Sequence, residues 1–180
     1  MARFEWIEIM RNRYQKAETF QEFLATVQAH RDLWNQLSKR AQLPQEAREA
    51  AGSIHGRWHL LVLAEDWCGD GAHILPFLAR LEEEFPHFDL RILSRDENPD
   101  LMEAHLTNGT RSIPVVMILD EDFEEVAWWG PRPQPLQEIF HREIKYLPKD
   151  QRFPRVRAWF ARDRGRTTLR EILSRIPVPE

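Results

Sequence analysis

The stretch WHLLVLAEDWCGDGAHILPF, residues 58–77, decides the fold. Its opening WHLLVLAE is a continuous apolar run closed by an acid, too short for a helix and suited to a strand buried on both faces. After the turn, Ile74, Leu75, Phe77, Leu78, Leu81 and Phe85 return at helical spacing, with Glu82, Glu83 and Glu84 outward. Between strand and helix lies the only cysteine of the 180 residues, Cys68, followed by Gly69 and Gly71. A strand running straight into such a turn and then a helix puts the sulfur at the helix N-terminus. Unpaired N–H groups and the macrodipole there favour negative charge and lower a thiol pKa. The neighbouring acids Glu65, Asp66 and Asp70 act the other way. The sequence leaves the sign of the net shift open, and the two glycines suggest a sulfur accessible to another chain.

Downstream, FDLRILS alternates as a second strand, and NPDLMEAHLTNG predicts a helix capped at Asn98, with Pro99 at its first position and a stop at Asn108-Gly109. IPVVMILD, the turn EDFE and EVAWWG predict an antiparallel hairpin, in which Trp128 and Trp129 point to opposite faces of the sheet, one of them into the core. PQPLQEIFHREIKYL predicts a helix with Leu136, Ile139, Phe140, Ile144 and Leu147 inward. RVRAWFARDRGRTTLREILSRI predicts two short helices broken at Gly165. Upstream, TFQEFLATVQAHRDLWNQLSKRAQL carries Phe20, Phe23, Leu24, Val27, Leu33, Trp34 and Leu37 on one helical face after a cap at Thr19. QEAREAAG adds a short helix after Pro44, stopping at Gly52.

The organisation expected is an N-terminal helical extension over 1–56, a core over 57–147, and a C-terminal helical extension over 148–180 packed on the same domain. Pro148 to Phe153 is the one credible linker. The fold class is α/β: a mixed sheet of four or five strands with helices on both faces, plus the terminal helices.

Composition narrows the function. No apolar run nears the roughly 20 residues a membrane span requires, and the N-terminus MARFEWIEIMRNRYQ is charged throughout, so a cytoplasmic location and no membrane partner are expected. The net charge of −4 gives no footprint for nucleic acid, although arginines crowd the chain from Gln151 onward, where a solvated face is the ordinary explanation. One cysteine excludes an intramolecular disulfide.

Trp67-Cys68-Gly69, Pro76 eight residues after the cysteine, Ile113-Pro114 at the head of IPVVMILD, and Gly130 after the hairpin occur in an order and spacing that resembles the thioredoxin superfamily. Specifically, the chain resembles small bacterial thioredoxin-like proteins with an EDWCGD-type motif. It covers about Trp58 to Phe140. It implies a thioredoxin-like sheet, Cys68 as nucleophile, a cis-proline loop at Ile113-Pro114 that offers its backbone edge to a peptide or thiol by strand addition, and Trp67 on the rim. The implied binding surface comprises Trp67, Gly69, Asp70, Gly71, Ile113 and Pro114.

Two departures from the pattern restrict the chemistry. Gly71 stands where the second cysteine of Cys-x-x-Cys would be, so no internal thiol can resolve a mixed disulfide. Val62 stands where thioredoxins place the buried acid that serves that thiol. The expectation is therefore a monothiol thiol–disulfide oxidoreductase whose partner is a protein or a low-molecular-weight thiol or disulfide, as monomer or homodimer. The rival is a non-catalytic module that holds a peptide along the same edge. No cofactor or metal is expected: His55 and His59 fall on a loop and a strand start, and the turn lacks the signature of cluster-binding monothiol glutaredoxins. His73 is expected to be a solvated surface residue, and Asp66 or Asp70 a helix cap.

Overall fold

The computed structural model describes residues 1–179, and its centre is β1 (Trp58–Ala64), all seven residues of which are buried. That is the outcome a continuous apolar run demands, because neither face of the strand can be left to water. β1 pairs in parallel with β2 (Phe88–Ser94) on one side and antiparallel with β3 (Val115–Leu119) on the other. β4 (Glu125–Trp129) closes the expected hairpin, giving the four-stranded order β2-β1-β3-β4. The parallel β1–β2 pair requires a crossover, and α5 (Gly69–Glu84) supplies it. Burial along β2 alternates as its sequence does, with Phe88, Leu90 and Ile92 inside.

The period of two along the strands sorts the core into two layers. Leu60, Val62, Val116, Ile118 and Trp129 join Leu75 and Leu78 of α5. Leu61, Leu63, Val115, Met117 and Leu119 meet Met10 and Tyr14 of α1 (Arg3–Lys16), together with Leu101 and Met102 of α6 (Pro99–Glu103). Trp128 packs at that second face and Trp129 in the first, as the pair's alternation requires.

The N-terminal region is four helices. α2 (Phe20–Thr26) is capped by Thr19, whose side chain accepts the Glu22 N–H while Glu22 returns a bond to the Thr19 N–H. The face from Phe20 to Leu37 is not one helix. It breaks between α2 and α3 (Arg31–Arg40), where His30 takes a left-handed conformation at φ 54°. The Asp66 carboxylate accepts the Gln28 and Ala29 N–H groups at 2.9 and 3.1 Å, supplying from a distant loop the partners an unbroken helix would have supplied itself. Glu18 makes a single bridge to Ile92, so this region also covers the free edge of β2. α4 (Gln45–Ser53) follows Pro44, as the sequence indicates.

Two other expectations change. α6 ends at Glu103, not at Asn108, and the Asn98 side chain donates to the Ser94 carbonyl instead of capping it; Asn108 and Gly109 form a separate turn closed by Thr107 and Thr110. Nor is 148–153 an open linker, since α8 (Lys149–Asp163) begins at Lys149 directly after α7 (Gln134–Arg142) and a 3₁₀ turn over Ile144–Tyr146. The break before α9 (Arg166–Ser174) falls at Gly165, at φ 77°, as expected. Val156, Phe160, Leu169 and Ile172 of the last two helices share one apolar cluster with α5. Among the described residues no helix is long and apolar enough to cross a membrane.

Candidate functional site

Cys68 is the N-cap of α5. The Gly71 N–H donates to its sulfur at 3.5 Å, and the thiol in turn lies 3.5 Å from the Ile113 carbonyl, which it can donate to. The Ile113–Pro114 peptide bond is cis. The structure thus brings Cys68, Gly71 and Ile113 together, as the sequence places them. It does not leave them open: Cys68 is 7 % exposed, and Ile113 and Pro114 are buried. Of the expected surface, Trp67 alone is well exposed, at 48 %, with the Arg95 guanidinium 4.9 Å above its ring.

The two glycines serve packing instead of access. A β-carbon at Gly69 would come within 2.1 Å of Phe153 from α8, and one at Gly71 would lie 3.4 Å from Trp34 of α3. Trp34 is fully buried and donates through Nε1 to the Asp66 carbonyl at 2.7 Å, which fixes the motif's loop against α3. Both terminal extensions therefore reach the cysteine's turn.

Asp70 points to an ion pair the sequence does not disclose. Its carboxylate accepts from Arg132 at 2.9 Å, and the Arg132 guanidinium lies 4.0 Å over the Phe140 ring and donates to Gln137 at 3.1 Å. Gly130 makes this placement available. Its φ of 137° suits glycine, and a β-carbon there would fall 2.1 Å from the Pro114 carbonyl oxygen, so the chain can cross close above Pro114 and deliver Arg132 two residues later. Neither Asp66 nor Asp70 caps α5.

These surroundings settle the sign left open by the motif. Burial pushes the Cys68 thiol up to about 11, and the Asp70 carboxylate adds to the rise. The N–H groups of Gly71 and Asp70, and the charge of Arg132, pull the other way without prevailing. Burial also raises Asp70, opposed by Arg132. The resting sulfur is a protonated thiol at neutral pH.

His73 is not a surface residue. It is buried, stacked on Phe160 with ring centroids 4.8 Å apart, and burial together with nearby Arg157 lowers its pKa to about 4. His59 pairs with Asp89 at 3.1 Å and stacks on Phe123, at the opposite end of β1 from the cysteine's turn. Among the described residues no group of three His, Cys, Asp or Glu side chains is arranged to hold a metal.

A central strand leading into a helix capped by a lone cysteine, with an Ile-Pro loop against the sulfur, defines a thioredoxin-fold protein with one thiol. The sequence model of the family described as Thioredoxin matches residues 17–149, and the chain belongs to that family. Two solved structures are similar. A protein of unknown function from Pseudomonas aeruginosa is 23 % identical, with 97 % of each chain covered and a TM-score of 0.73. An HIV epitope-scaffold is 22 % identical, with 92 % of this chain and 95 % of its own covered and a TM-score of 0.71. Both establish likeness of fold across the terminal helices as well as the core. No curated protein matches the chain.

Proposed function

We propose that the protein performs monothiol thiol–disulfide exchange through Cys68, with resolution by an external thiol. The observation that carries this reading is the position of the chain's sole sulfur: it caps α5, where the Gly71 and Asp70 N–H groups favour a thiolate, and it adjoins the Ile113 carbonyl edge. The Cys68 thiolate attacks one sulfur of a disulfide, a new S–S bond forms, and the other half departs as a thiolate that takes up a proton. With Gly71 in place of a second cysteine, a thiolate from a small thiol or a partner protein then attacks the mixed disulfide and frees Cys68. The protonated resting state makes the first step slow until a docked partner alters the surroundings of the sulfur. Trp67, exposed beside the turn, is the surface such a partner meets first, with the buried Ile113-Pro114 edge behind it, in the cytoplasm by the expectation above.

The burial and raised pKa of Cys68 favour one other reading, a binding module in which the thiol is a small core residue. Replacing Cys68 with Ser separates the two. Exchange with a disulfide substrate must vanish in the variant if Cys68 reacts, whereas a module keeps its partner and shows no exchange in either form.

A further inference from the structure

We propose that the cavity formed where α8 meets the first turn of α5 is an anion subsite, holding the acidic end of a small thiol or disulfide whose sulfur reacts at Cys68. The proposal rests on the reading of Cys68 given above and adds the charge of its substrate. The cavity encloses about 190 Å³, room for a short charged substituent, against the roughly 300–1,000 Å³ of a drug-sized pocket. Gly69 and Asp70, the two residues after the cysteine, line it, and Arg132, Lys149 and Arg152 bring three positive charges against the single carboxylate of Asp70. Asp70 is already paired with Arg132. Among the described residues no carboxylate lies within ion-pair distance of Lys149 or Arg152. Arg152 is held in place by the bond from its Nε to the Leu147 carbonyl at 2.8 Å, which leaves its terminal nitrogens for a ligand. The Nε–H of Arg132, which lines the cavity, is buried and has no acceptor within the protein.

The walls strengthen the attraction. Phe140, Phe153 and Val156 line the cavity with apolar surface, and charges interact more strongly beside such surface than in open water. The motif's other neighbouring cavity, about 240 Å³, carries Glu18, Glu65 and Asp66 and would repel the same group. An anionic substituent is thus directed to one side of the motif. Arg152 belongs to the basic stretch from Gln151 onward, and this site gives one of its charges a use.

The experiment compares three aliphatic disulfides, 3,3′-dithiodipropionate (anionic), 2-hydroxyethyl disulfide (neutral) and cystamine (cationic), with the full chain and with Lys149→Glu/Arg152→Gln. Formation of the Cys68 adduct is followed by mass spectrometry. Taking each probe's ratio between the two proteins cancels its intrinsic reactivity. The expected result is a slowing of about tenfold for the anionic probe, no change for the neutral one and acceleration for the cationic one. Equal ratios for all three overturn the subsite and leave thiol exchange standing. If no probe reacts with the unaltered protein, the Cys68 reading fails, and the subsite is judged alone by inorganic phosphate, methylphosphonate and acetate titrated against the Gly69 and Asp70 amide resonances. Saturable shifts that the double variant loses support it, and their rank separates a phosphate from a carboxylate ligand. Unmoved resonances overturn it. Lys149→Glu alone, at an exposed position, repeats both arms if Arg152→Gln disturbs the turn at Leu147.

Discussion

Replacing Asp70 with Asn tests how the site controls its sulfur. The substitution keeps the shape of the side chain and removes the carboxylate that raises the Cys68 pKa, while Arg132, which lowers it, remains held by Gln137 and Phe140. A neighbouring charge moves a pKa by about 1 to 3 pH units, and burial, the larger cause here, persists. We therefore expect a fall of about 1 to 2. At pH 7 the thiolate fraction rises about 10- to 100-fold. The weaker base is a poorer nucleophile, with a Brønsted slope of about 0.45, so exchange accelerates by about 3- to 13-fold. The cost is part of a buried ion pair whose side chains are 17 % and 12 % exposed, up to about 3 kcal/mol of stability. Thiolate absorbance against pH, with Cys68→Ser as blank, reads the first quantity, and adduct formation with 2-hydroxyethyl disulfide reads the second. An unchanged or higher thiol pKa in the folded Asp70→Asn protein would refute the electrostatic account.

Gly69→Ala should destabilise by about 1 to 3 kcal/mol in urea unfolding, because its β-carbon enters the Phe153 ring; in the double variant with Phe153→Ala the two losses should be clearly less than additive. Gly71→Cys should form a disulfide with Cys68 on oxidation, since the β-carbon at 71 would lie 3.8 Å from that of Cys68, within the usual range; a free-thiol count of two in the oxidised, folded variant contradicts the geometry. His73 has a folded pKa of about 4 against an ordinary 6.5, so the unfolded chain takes up the proton first. Its contribution is full above about pH 6.5 and is lost as pH falls toward 4, by up to about 3 kcal/mol, and His73→Phe should flatten that limb of the stability profile.

The strands were legible because their signals are local. The run Trp58–Ala64, apolar but for His59, is too short for a helix and suits a strand buried on both faces, and FDLRILS carries the period of two that one buried face requires. The cysteine's place at a helix N-terminus followed from the same strand–turn–helix order. What escaped was set by distant partners. The break at His30 depends on Asp66 accepting two N–H groups from a loop 37 and 38 residues away in sequence. Asp70 reads as a cap until the crossing at Gly130 brings Arg132 to it. His73 reads as solvated because nothing near it announces Phe160, and the glycines read as access until Phe153 and Trp34 fill the space they leave. The thiol's pKa belongs to this second group, since burial, which no local motif encodes, outweighs the helix end that the motif does encode.

The most direct test of the central claim is the rate of mixed-disulfide formation at Cys68 with 2-hydroxyethyl disulfide between pH 7 and 11, followed by release with an added small thiol. Monothiol exchange predicts an adduct confined to Cys68, a rate that keeps climbing with pH up to 11, where the thiol is only half ionised, and full recovery of the free thiol on release. A folded protein that forms no adduct even above pH 10, where the thiolate is populated, would contradict it and leave a thioredoxin-fold module with a buried cysteine.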